Sequence, residues 1–375
     1  MTTESRRLSI LHLIHVLRST NSQYNEHSLP VMRERDITLC SYFEPQLDPP
    51  PEIRLFAGNG TLLGFIGALR AALSAAPYDA IHAHSPQTGF LLLVALVAWR
   101  RYRLLQPRTV YTVHDSFYDY KTRNKVLMIP ALASFHRVVF CSHAAYESLP
   151  TVLKAVVGSR YRIVQNGADI DRIDRVVAAS ATKEDASFSV ISVGRLETVK
   201  DPGAAIEAFR TGTDDDARFV WIGDGSLRPD VDSRIARSDL DDRVEMTGQI
   251  ERDEVFHRYA ASDVYLSTSH GEGLPVAAME AMACGLPVIL SDIPPHREFI
   301  NDDVDFIPLV PVGDVAGFAR EIRRFEAMSE SERAAVGRQC RSLVETRFSL
   351  TRMNAGYEAV YRELPHFGDE EATAT

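Results

Sequence analysis

Short apolar segments alternate with helical patterns along nearly the whole chain, and this alternation limits the possible folds more than any other feature. It is typical of βα units stacked into parallel sheets, so the sequence predicts an α/β protein. The predicted strands are 8–16, 36–42, 80–83, 109–113, 137–141, 162–164, 188–193, 219–222, 244–247, 264–267, 288–290 and 306–309. The predicted helices are 62–75, 89–101, 201–210, 251–260, 275–284, 314–327, 330–346 and 351–364.

The 375 residues are enough for two domains. We place the hinge at 178–186, a segment of small and polar residues without clear periodicity. This predicts a Rossmann-like N-terminal domain over 1–177 and a second one over 187–347. Over 348–375 we expect a helix that crosses back to the first domain, followed by a flexible tail. Two doubly wound domains facing across a cleft form a natural ligand site.

Composition excludes several classes of protein. The net charge of −10 argues against nonspecific nucleic-acid binding. The four cysteines include no Cys-x-x-Cys pair, so neither a disulfide framework nor a zinc site is indicated. The longest apolar run, 90–99, has ten residues, whereas a membrane span needs roughly 20. The N-terminal apolar stretch lacks a small-residue cleavage site, so we expect a cytoplasmic protein without a signal peptide.

The densest motif, residues 271–287, reads GEGLPVAAMEAMACGLP. It follows the predicted strand 264–267, and Pro275 and Gly285 suit the first turn and the C-terminal stop of a short helix. The first amides of a helix are unpaired and carry partial positive charge. A phosphate or sugar oxygen is therefore expected over Gly273, Leu274 and Pro275.

Two carboxylates accompany this helix. The ordinary interpretation makes Glu272 a charge that complements the helix dipole and Glu280 a solvated helix residue. The residues that flank Glu280 are apolar, however, which argues against an ordinary solvated face. Carboxylates accept hydrogen bonds from sugar hydroxyls. The two carboxylates, at different positions along the helix, therefore suit two parts of the same ligand.

The spacing Glu272-x7-Glu280 within Glu-Gly-Leu-Pro-x4-Glu-Ala-Met-Ala-Cys-Gly resembles the signature of the family 4 retaining glycosyltransferases, which have the GT-B fold. Five further segments resemble the same family: Val193-Gly194-Arg195-Leu196-x3-Lys200-Asp201, Ile222-Gly223-Asp224-Gly225, Val164-Gln165-Asn166-Gly167-Ala168-Asp169, 78–84 and 112–115. The resemblance covers about residues 78–300 closely and the closing helices near 345–364 more loosely.

The resemblance implies a GT-B protein with the acceptor on the first domain and the nucleotide sugar on the second. It implies that Arg195 and Lys200 hold the donor diphosphate, that Glu280 takes the ribose and that Glu272 takes hydroxyls of the transferred sugar. The matching segments add donor-binding positions at Asn166, Gly194, Gly223 and Gly225. Without the family, two cations five residues apart after a strand also suit a diphosphate leaving group. Their ordinary interpretation is a surface Arg and a Lys in the first turn of a helix.

Histidines gather at the predicted edge of the first sheet. His114 ends a strand and precedes Asp115; the ordinary alternative is a strand-end histidine bound to a loop. The resemblance implies a contact of His114 near the anomeric carbon. His82 and His84 alternate on a strand and so share one face of the sheet. A metal would need a third ligand that the sequence does not reveal, so we interpret both as cleft-edge or core histidines.

Other catalytic classes lack their motifs. Asp230-Val231-Asp232 and Asp303-Val304-Asp305 have the letters of a metal-binding Asp-x-Asp motif, but we interpret both as solvated and predict no metal site. Neither a hydrolase elbow nor a Walker loop occurs. The loop 19–22 after the first strand contains no glycine, which excludes a dinucleotide fingerprint and departs from the glycine-rich loop of many family 4 relatives. Its hydroxyl and amide side chains are an alternative source of donors to the phosphate.

We therefore predict a retaining, metal-independent hexosyltransferase that uses a UDP- or GDP-linked sugar and no cofactor. The expected acceptor is a glycan or a lipid-linked sugar in polysaccharide or glycolipid biosynthesis, and no nucleic-acid partner is expected. The alternatives are a catalytically silent nucleotide-sugar-binding or partner subunit, and a sugar phosphorylase or phosphate synthase on the same fold. The sequence does not indicate an oligomeric state.

Basic residues in the first half suggest peripheral contact with an anionic membrane. The first 170 residues carry 18 Lys and Arg against 12 Asp and Glu. The ordinary alternative is a sheet-covering helix that ends in cations. The two clusters are Arg100, Arg101, Arg103 and Arg108, and Lys121, Arg123 and Lys125.

Overall fold

The computed structural model describes residues 7–99, 108–179 and 187–364, which divide into two compact units. The first unit contains the residues up to 165 and those from 353 onward, and the second contains 166–352. Each unit is built on one parallel sheet, which confirms the predicted α/β class. Most of the predicted hinge, and the tail from Gly368, lie outside the described residues.

The first unit has a seven-stranded parallel sheet with the order β3-β2-β1-β4-β5-β6-β7. All six residues of β1, a central strand, are buried, as is typical of a parallel sheet covered on both faces. The strands are β1 Ser9–Ile14, β2 Asp36–Ser41, β3 Arg54–Ala57, β4 Ala80–Ala83, β5 Thr109–Val113, β6 Arg137–Phe140 and β7 Tyr161–Ile163.

Helices cover this sheet and supply most of its core. Thr61 caps the helix α2, Leu62–Ala75, and Ser85 caps the helix α3, Pro86–Ala98. The side chain of each accepts a hydrogen bond from the backbone N–H three residues later. Buried side chains of α2, α3 and α4 pack on the strands, Phe65 and Leu92 among them. The helices are α1 Ser22–Asn25, α2 Leu62–Ala75, α3 Pro86–Ala98, α4 Thr122–Ser134, α5 His143–Glu147 and α6 Thr151–Val157.

The second unit has a six-stranded parallel sheet with the order β10-β9-β8-β11-β12-β13. Its strands are β8 Ser189–Val193, β9 Arg218–Ile222, β10 Val244–Gly248, β11 Val264–Ser267, β12 Val288–Ser291 and β13 Leu309–Val310. Two clusters of buried apolar residues form its core. Its helices are α7 Ile170–Ala178, α8 Pro202–Gly212, α9 Arg228–Arg237, α10 Arg252–Ala260, α11 Val276–Ala283, α12 Pro294–Arg297, α13 Val315–Glu326 and α14 Glu330–Arg347.

The structure differs from the predicted elements at several places, and α1, α4 to α7, α9 and α12 have no counterpart among the predicted helices. The edge strand β3 has no counterpart in the prediction, because its four residues show no alternation of burial. The strand predicted at 306–309 is wrong in position, since β13 begins only at Leu309. Residues 166–177, predicted as part of the first domain, group with the second unit, where α7 packs on α10 and α11.

The last helix, α15 Leu350–Arg362, contributes to the first unit from Met353 onward. Its Tyr357 and Tyr361 are buried among first-unit residues, and the Tyr361 hydroxyl lies 2.8 Å from Nδ1 of His82. Arg35 pairs with Glu358 of this helix at 3.3 Å. The predicted return of the final helix to the first domain is therefore confirmed. Among the described residues, no helix has the length and apolar character to cross a membrane.

Candidate functional site

A short helix follows β11 in the second unit, as predicted. No side chain caps the first turn of α11, and Pro275 occupies the N-cap position rather than the first turn. Gly285 ends the helix with φ +79°, and Leu286 N–H donates to the Ala281 carbonyl. The uncapped N-terminus leaves backbone amides of positive polarity for an anionic or hydroxylated ligand.

Asn166 holds the loop that leads into this helix. Its side-chain amide donates a hydrogen bond of 3.0 Å to the Leu274 carbonyl, and both residues are buried. Gly273 is also buried. Asn166 thus fixes the backbone at the start of α11 from a segment more than 100 residues earlier.

Lys200 and Glu272 form an ion pair beside this helix. The Lys200 ammonium contacts Oε1 of Glu272, and the two side chains are only 19% and 11% exposed. Ser269 donates a hydrogen bond of 2.8 Å to the same carboxylate oxygen. The structure therefore brings together the cation predicted for the diphosphate and the carboxylate predicted for the sugar.

Lys200 does not lie in the first turn of a helix. It ends a 3-10 turn over Thr198–Lys200, and Asp201 then caps α8 from a left-handed backbone conformation. Thr268 donates hydrogen bonds of 3.0 and 2.9 Å to the carbonyls of Lys200 and Asp201. The ordinary alternative, a Lys in the first turn of a helix, is thereby excluded, because α8 begins only after the left-handed turn at Asp201, with φ 45°.

The pair sets the charge state of Glu272. Burial alone would raise the pKa of this carboxyl, but the Lys200 ammonium and the hydrogen bonds from Lys200 and Ser269 hold the pKa below its usual value. Glu272 is therefore an anion at neutral pH, a strong acceptor for hydroxyl donors.

Glu280 has a cationic partner of its own. It is buried on α11 and accepts a hydrogen bond from the Arg252 guanidinium at the start of α10. Burial raises the pKa of Glu280, although the charge of Arg252 opposes that change. The predicted ordinary alternative, a solvated Glu280, is thereby excluded.

Two loops of the second unit pack backbone against backbone near Lys200. A Cβ on Gly223, which has φ +132°, would lie 2.1 Å from the Gly194 carbonyl oxygen. A Cβ on Gly225 would lie 2.4 Å from the Leu196 carbonyl oxygen. Only glycine fits at both positions. A Cβ on Gly194 would meet the Lys200 side chain at 3.4 Å, so Lys200 extends across Gly194.

Arg195 lies in the loop after β8 and is exposed. Its guanidinium has no hydrogen bond or ion pair with the part of the chain that the structure describes. The Arg195 guanidinium is therefore available to a ligand, whereas the Lys200 ammonium is already paired with Glu272.

His114 belongs to the first unit and directly follows β5, as predicted. Its Nε2 lies 3.1 Å from Nδ1 of His84, and its carbonyl accepts a hydrogen bond from the Cys141 thiol. Burial lowers the pKa of His114 to about 4, so the ring is neutral near pH 7.

The structure supplies the third histidine that the sequence did not reveal. One ring nitrogen each of His12, His82 and His84 lies within 4.8 Å of the other two, and all three residues are buried. His82 and His84 are thus core histidines in a cluster. The signal was hidden because His12 comes from β1 and pairs with His82 across the sheet.

The glycine-free loop at 19–22 uses its polar side chains internally. Asn21 accepts from Tyr24 N–H and donates to the Val16 carbonyl at 3.2 Å. The Ser22 hydroxyl donates to Glu26 at 2.7 Å. The prediction that these two side chains replace the missing glycines as phosphate donors is not supported by this geometry.

Several residues of the site were not predicted from the sequence. Arg252 gave no signal because it lies at the start of a separate helix, α10. Ser269 and Thr268 could have been found, since they directly follow β11 at the carboxyl edge of the sheet. His270 pairs with Asp201 at 2.9 Å beside them.

The two Asp-x-Asp segments, 230–232 and 303–305, are not part of this site. Asp230 and Asp232 lie on α9, where Asp232 pairs with Arg228 at 2.8 Å, and Asp303 and Asp305 lie outside helices and strands. Within 7–99, 108–179 and 187–364, the histidine cluster is the one group of potential metal ligands with this spacing.

Comparison with known protein families gives two matches that together span most of the chain. The model described as Glycosyltransferase Family 4 matches residues 30–172. The model described as Glycosyl transferases group 1 matches residues 177–341. The boundary between the matches lies close to the division between the two units.

Several named glycosyltransferases are similar in sequence to this chain. An α-1,3-galactosyltransferase of Escherichia coli, which acts from UDP-Gal on α-D-GlcNAc-diphosphoundecaprenol, is 26% identical over 73% of this chain and 73% of its own length. A 2-deoxystreptamine glucosyltransferase of Streptomyces kanamyceticus is 27% identical over 74% and 77%. A putative colanic acid biosynthesis glycosyltransferase of Escherichia coli is 34% identical, over 53% and 50%.

Solved structures show the same fold. Anabaena HepE in complex with UDP and glucose has a TM-score of 0.74 and 18% identity, and the match covers 96% of this chain and all of that one. Sucrose-phosphate synthase from Thermosynechococcus elongatus has a TM-score of 0.75 and 18% identity over 98% and 100%. At 18% identity these similarities establish a shared fold.

Proposed function

Because the chain belongs to family 4 of the glycosyltransferases and has the GT-B fold, we propose that it transfers a sugar from a nucleoside-diphosphate sugar to an acceptor hydroxyl with retention of anomeric configuration. The second unit holds the donor in this proposal, and the first unit holds the acceptor. The reaction uses no metal ion, since fixed cations and helix amides meet the diphosphate.

The contact between Lys200 and Glu272 carries this proposal. It puts a cation next to a carboxylate that can accept hydrogen bonds from sugar hydroxyls, and the uncapped start of α11 lies in the adjoining segment. A nucleotide sugar needs both groups close together, because its β-phosphate is bonded to the first carbon of the sugar. Positive charge fixed before the reaction stabilises the diphosphate as its bond to the sugar breaks.

Arg195 adds a second cation, which is exposed. Its exposed guanidinium has no partner among the described residues, so binding a diphosphate breaks no existing ion pair. Arginine can donate two parallel hydrogen bonds to phosphate oxygens. We assign the diphosphate to Arg195, Lys200 and the backbone over Gly273, Leu274 and Pro275.

Glu280 is assigned to the ribose of the nucleotide. Arg252 neutralises this buried carboxylate and fixes its position on α11. A carboxylate has acceptor sites beyond those one guanidinium uses, so hydroxyl donors can still bind. The close backbone packing of Gly194, Gly223 and Gly225 shapes the loops around the donor.

The proposed step forms the bond from the acceptor oxygen to the anomeric carbon as the bond from that carbon to the β-phosphate oxygen breaks. Attack on the same face as the departing group retains the configuration. The acceptor proton passes to the leaving phosphate, and the protein positions the reactants and stabilises charge. His114, neutral near pH 7, is assigned a contact near the anomeric carbon as a hydrogen-bonding group.

The acceptor class is inferred from the relatives. Two of these relatives transfer a sugar to a diphosphoundecaprenol-linked sugar and to 2-deoxystreptamine, respectively. We propose a glycan or lipid-linked acceptor for this chain, in polysaccharide or glycolipid biosynthesis, and a UDP- or GDP-linked donor.

A donor panel tests the proposal. Calorimetry with UDP, GDP and ADP identifies the base, and NMR of the matching nucleotide sugars follows donor hydrolysis. We expect micromolar-class binding of one nucleotide and slow release of a sugar with the donor's anomeric configuration. Binding without any turnover, with acceptors supplied, would favour the silent nucleotide-sugar binder instead. Turnover that requires added Mg²⁺ or Mn²⁺ would contradict metal independence.

We further propose that the first unit docks on an anionic membrane. The helix α4 packs between α3 and α6, and these three helices expose Val94, Val97, Val126, Ile129, Val152 and Val156. Lys121 and Arg123 are exposed at the start of α4. Apolar side chains beside cations suit the surface of an anionic bilayer. Of the other predicted cluster, Arg100, Arg101 and Arg103 lie outside the described residues, and Arg108 is buried and so does not belong to this surface.

Vesicle sedimentation tests this surface. The wild-type protein should bind vesicles that contain phosphatidylglycerol and not pure phosphatidylcholine vesicles. Val126→Asp with Ile129→Asp should weaken binding at least about tenfold, since both side chains lose apolar burial. Val312→Asp, a single change of the same kind at an exposed valine of the second unit, is the control. Equal binding of both variants would contradict the assignment.

A further inference from the structure

Four buried histidines converge in the first unit, outside the residues assigned to the donor. His12 belongs to β1 and His82 to β4, His84 follows β4, and His27 follows α1. The ring centroids of His12 and His84 are 5.1 Å apart, those of His82 and His84 3.9 Å, and those of His27 and His84 4.9 Å. No step of the proposed transfer reaction uses these rings.

The sheet register produces the convergence. His12 and His82 are paired neighbours on the parallel strands β1 and β4, so their side chains point to the same face. His84 is two residues beyond His82 and adds a third ring to that face. His12 and His82 are thus held by fully buried strands, and His84 comes directly after one of them.

The spacing suits a single transition-metal ion. One nitrogen of each of His12, His82 and His84 lies within 4.8 Å of the others. Zinc–nitrogen bonds of about 2.0–2.1 Å put the nitrogens of a tetrahedral site roughly 3.4 Å apart. Nδ1 of His12 is 2.9 Å from Nε2 of His84, so a small separation of these two rings admits an ion.

A second observation points to a ligand. Nε2 of His27 is buried and has no hydrogen-bond partner among the described residues. An unpaired buried nitrogen is costly unless something binds it. His27 lies beside the group of three, with its ring centroid 4.9 Å from that of His84. A metal ion bound by the other three rings removes that cost once the His27 ring closes on it.

The surroundings resemble the outer shell of a metal site. Nδ1 of His84 lies 3.1 Å from His114, and the two nitrogens of His82 lie 2.8 Å from Tyr361 Oη and 2.7 Å from Thr112 Oγ1. Metal-binding histidines usually use their second nitrogen in such bonds, which fix the ring orientation. Binding would cost His82 one of its two hydrogen bonds and would replace the hydrogen bond between His12 and His84.

The local charge permits a cation. Arg35, whose charge acts on His12, is paired with Glu358 at 3.3 Å.

We propose that His12, His82 and His84 bind one transition-metal ion of the zinc class, with His27 as the fourth ligand. The ion joins β1, β4 and the loop after α1. Its role is structural, and the site does not depend on the proposed transfer reaction.

Metal uptake by the whole protein tests the site directly. Protein prepared without a histidine tag is treated with a chelator, incubated with Zn²⁺, desalted and analysed for bound metal. We expect one Zn²⁺ per chain and a rise in the melting temperature on Zn²⁺ addition. Co²⁺ should give the visible absorption bands of a tetrahedral site with nitrogen ligands. Wild-type protein that retains no metal and shows no Co²⁺ bands would overturn the proposal.

Single substitutions distinguish the cluster from surface binding. His84→Ala should lower Zn²⁺ affinity at least about 100-fold, and His114→Asn, which changes the outer shell, about 10-fold. The exposed His143→Ala is the matched control and should bind as the wild type does. If His84→Ala fails to fold, as judged by circular dichroism, His27→Phe gives the same information. Unchanged affinity in the folded cluster variants would overturn the proposal.

Discussion

The ammonium of Lys200 and the carboxylate of Glu272 are in direct contact, and both side chains are largely withdrawn from solvent. Lys200 comes from the turn after β8, and Glu272 comes from the segment between β11 and α11. Two βα connections of the second unit are therefore joined by one ion pair at the residues assigned to the donor.

Removal of Lys200 should destabilise the protein through this pair. In Lys200→Ala the Glu272 carboxylate loses its cation, and we expect the free energy of unfolding to fall by about 2–4 kcal/mol. Glu272→Gln should cost less, because the flexible Lys200 side chain can reach water. The double variant should be more stable than the sum of the single effects by about 1 kcal/mol or more. Urea denaturation measures all four proteins, and strict additivity would contradict the coupling.

The same pair should make stability depend on pH. The folded pKa of Glu272 is below its unfolded value, so its contribution is complete above about pH 4.5 and is lost as the pH falls through the folded pKa. The stability difference between wild type and Glu272→Gln should therefore shrink as the pH is lowered from about 6 to about 3. A difference that grows on acidification would contradict the assigned direction.

His296 should have its own acid dependence. Burial lowers the pKa of this histidine to about 4, and its Nδ1 bonds the Ser291 carbonyl at 2.7 Å. The unfolded state binds the proton more strongly, so the contribution of His296 is complete above about pH 6.5 and is lost as the pH falls toward 4. His296→Asn should reduce the loss of stability between these pH values by about 3 kcal/mol at most. Identical pH profiles for both proteins would contradict this.

Gly223 should not tolerate a side chain. Alanine at this position combines a φ of +132° with a Cβ 2.1 Å from the Gly194 carbonyl oxygen. We expect Gly223→Ala to lower the free energy of unfolding by about 2 kcal/mol or more and to weaken nucleotide binding. Gly67→Ala is the control, because its Cβ meets nothing within 4 Å and helix α2 favours alanine. Equal stability of the two variants would contradict the packing argument.

The sequence predicted the fold well where burial patterns are strong. The strands at 80–83, 109–113 and 264–267 agree with β4, β5 and β11 at both ends. Their residues are buried throughout, which gives an apolar run with sharp bounds. The short edge strand β3 and the four-residue helices α1 and α12 give too few residues for any period to appear.

The site was predictable in part for a related physical reason. Glu272 and Glu280 lie in one local motif, so their spacing is visible along the chain. Their partners Lys200 and Arg252 come from other elements, and pairing between elements is set by the sheet order. The same holds for His12, which reaches His82 only because β1 and β4 are neighbours.

Turnover of Lys200→Ala is the most direct test of the account. With the nucleotide sugar that the donor panel identifies, we expect its rate of donor cleavage to fall by about 10²–10³, the loss typical when one preorganised group that stabilises developing negative charge is removed. Arg237→Ala, a change at an exposed cation of the same unit, should keep the wild-type rate. A folded Lys200→Ala protein that cleaves the donor at the wild-type rate would contradict the central claim.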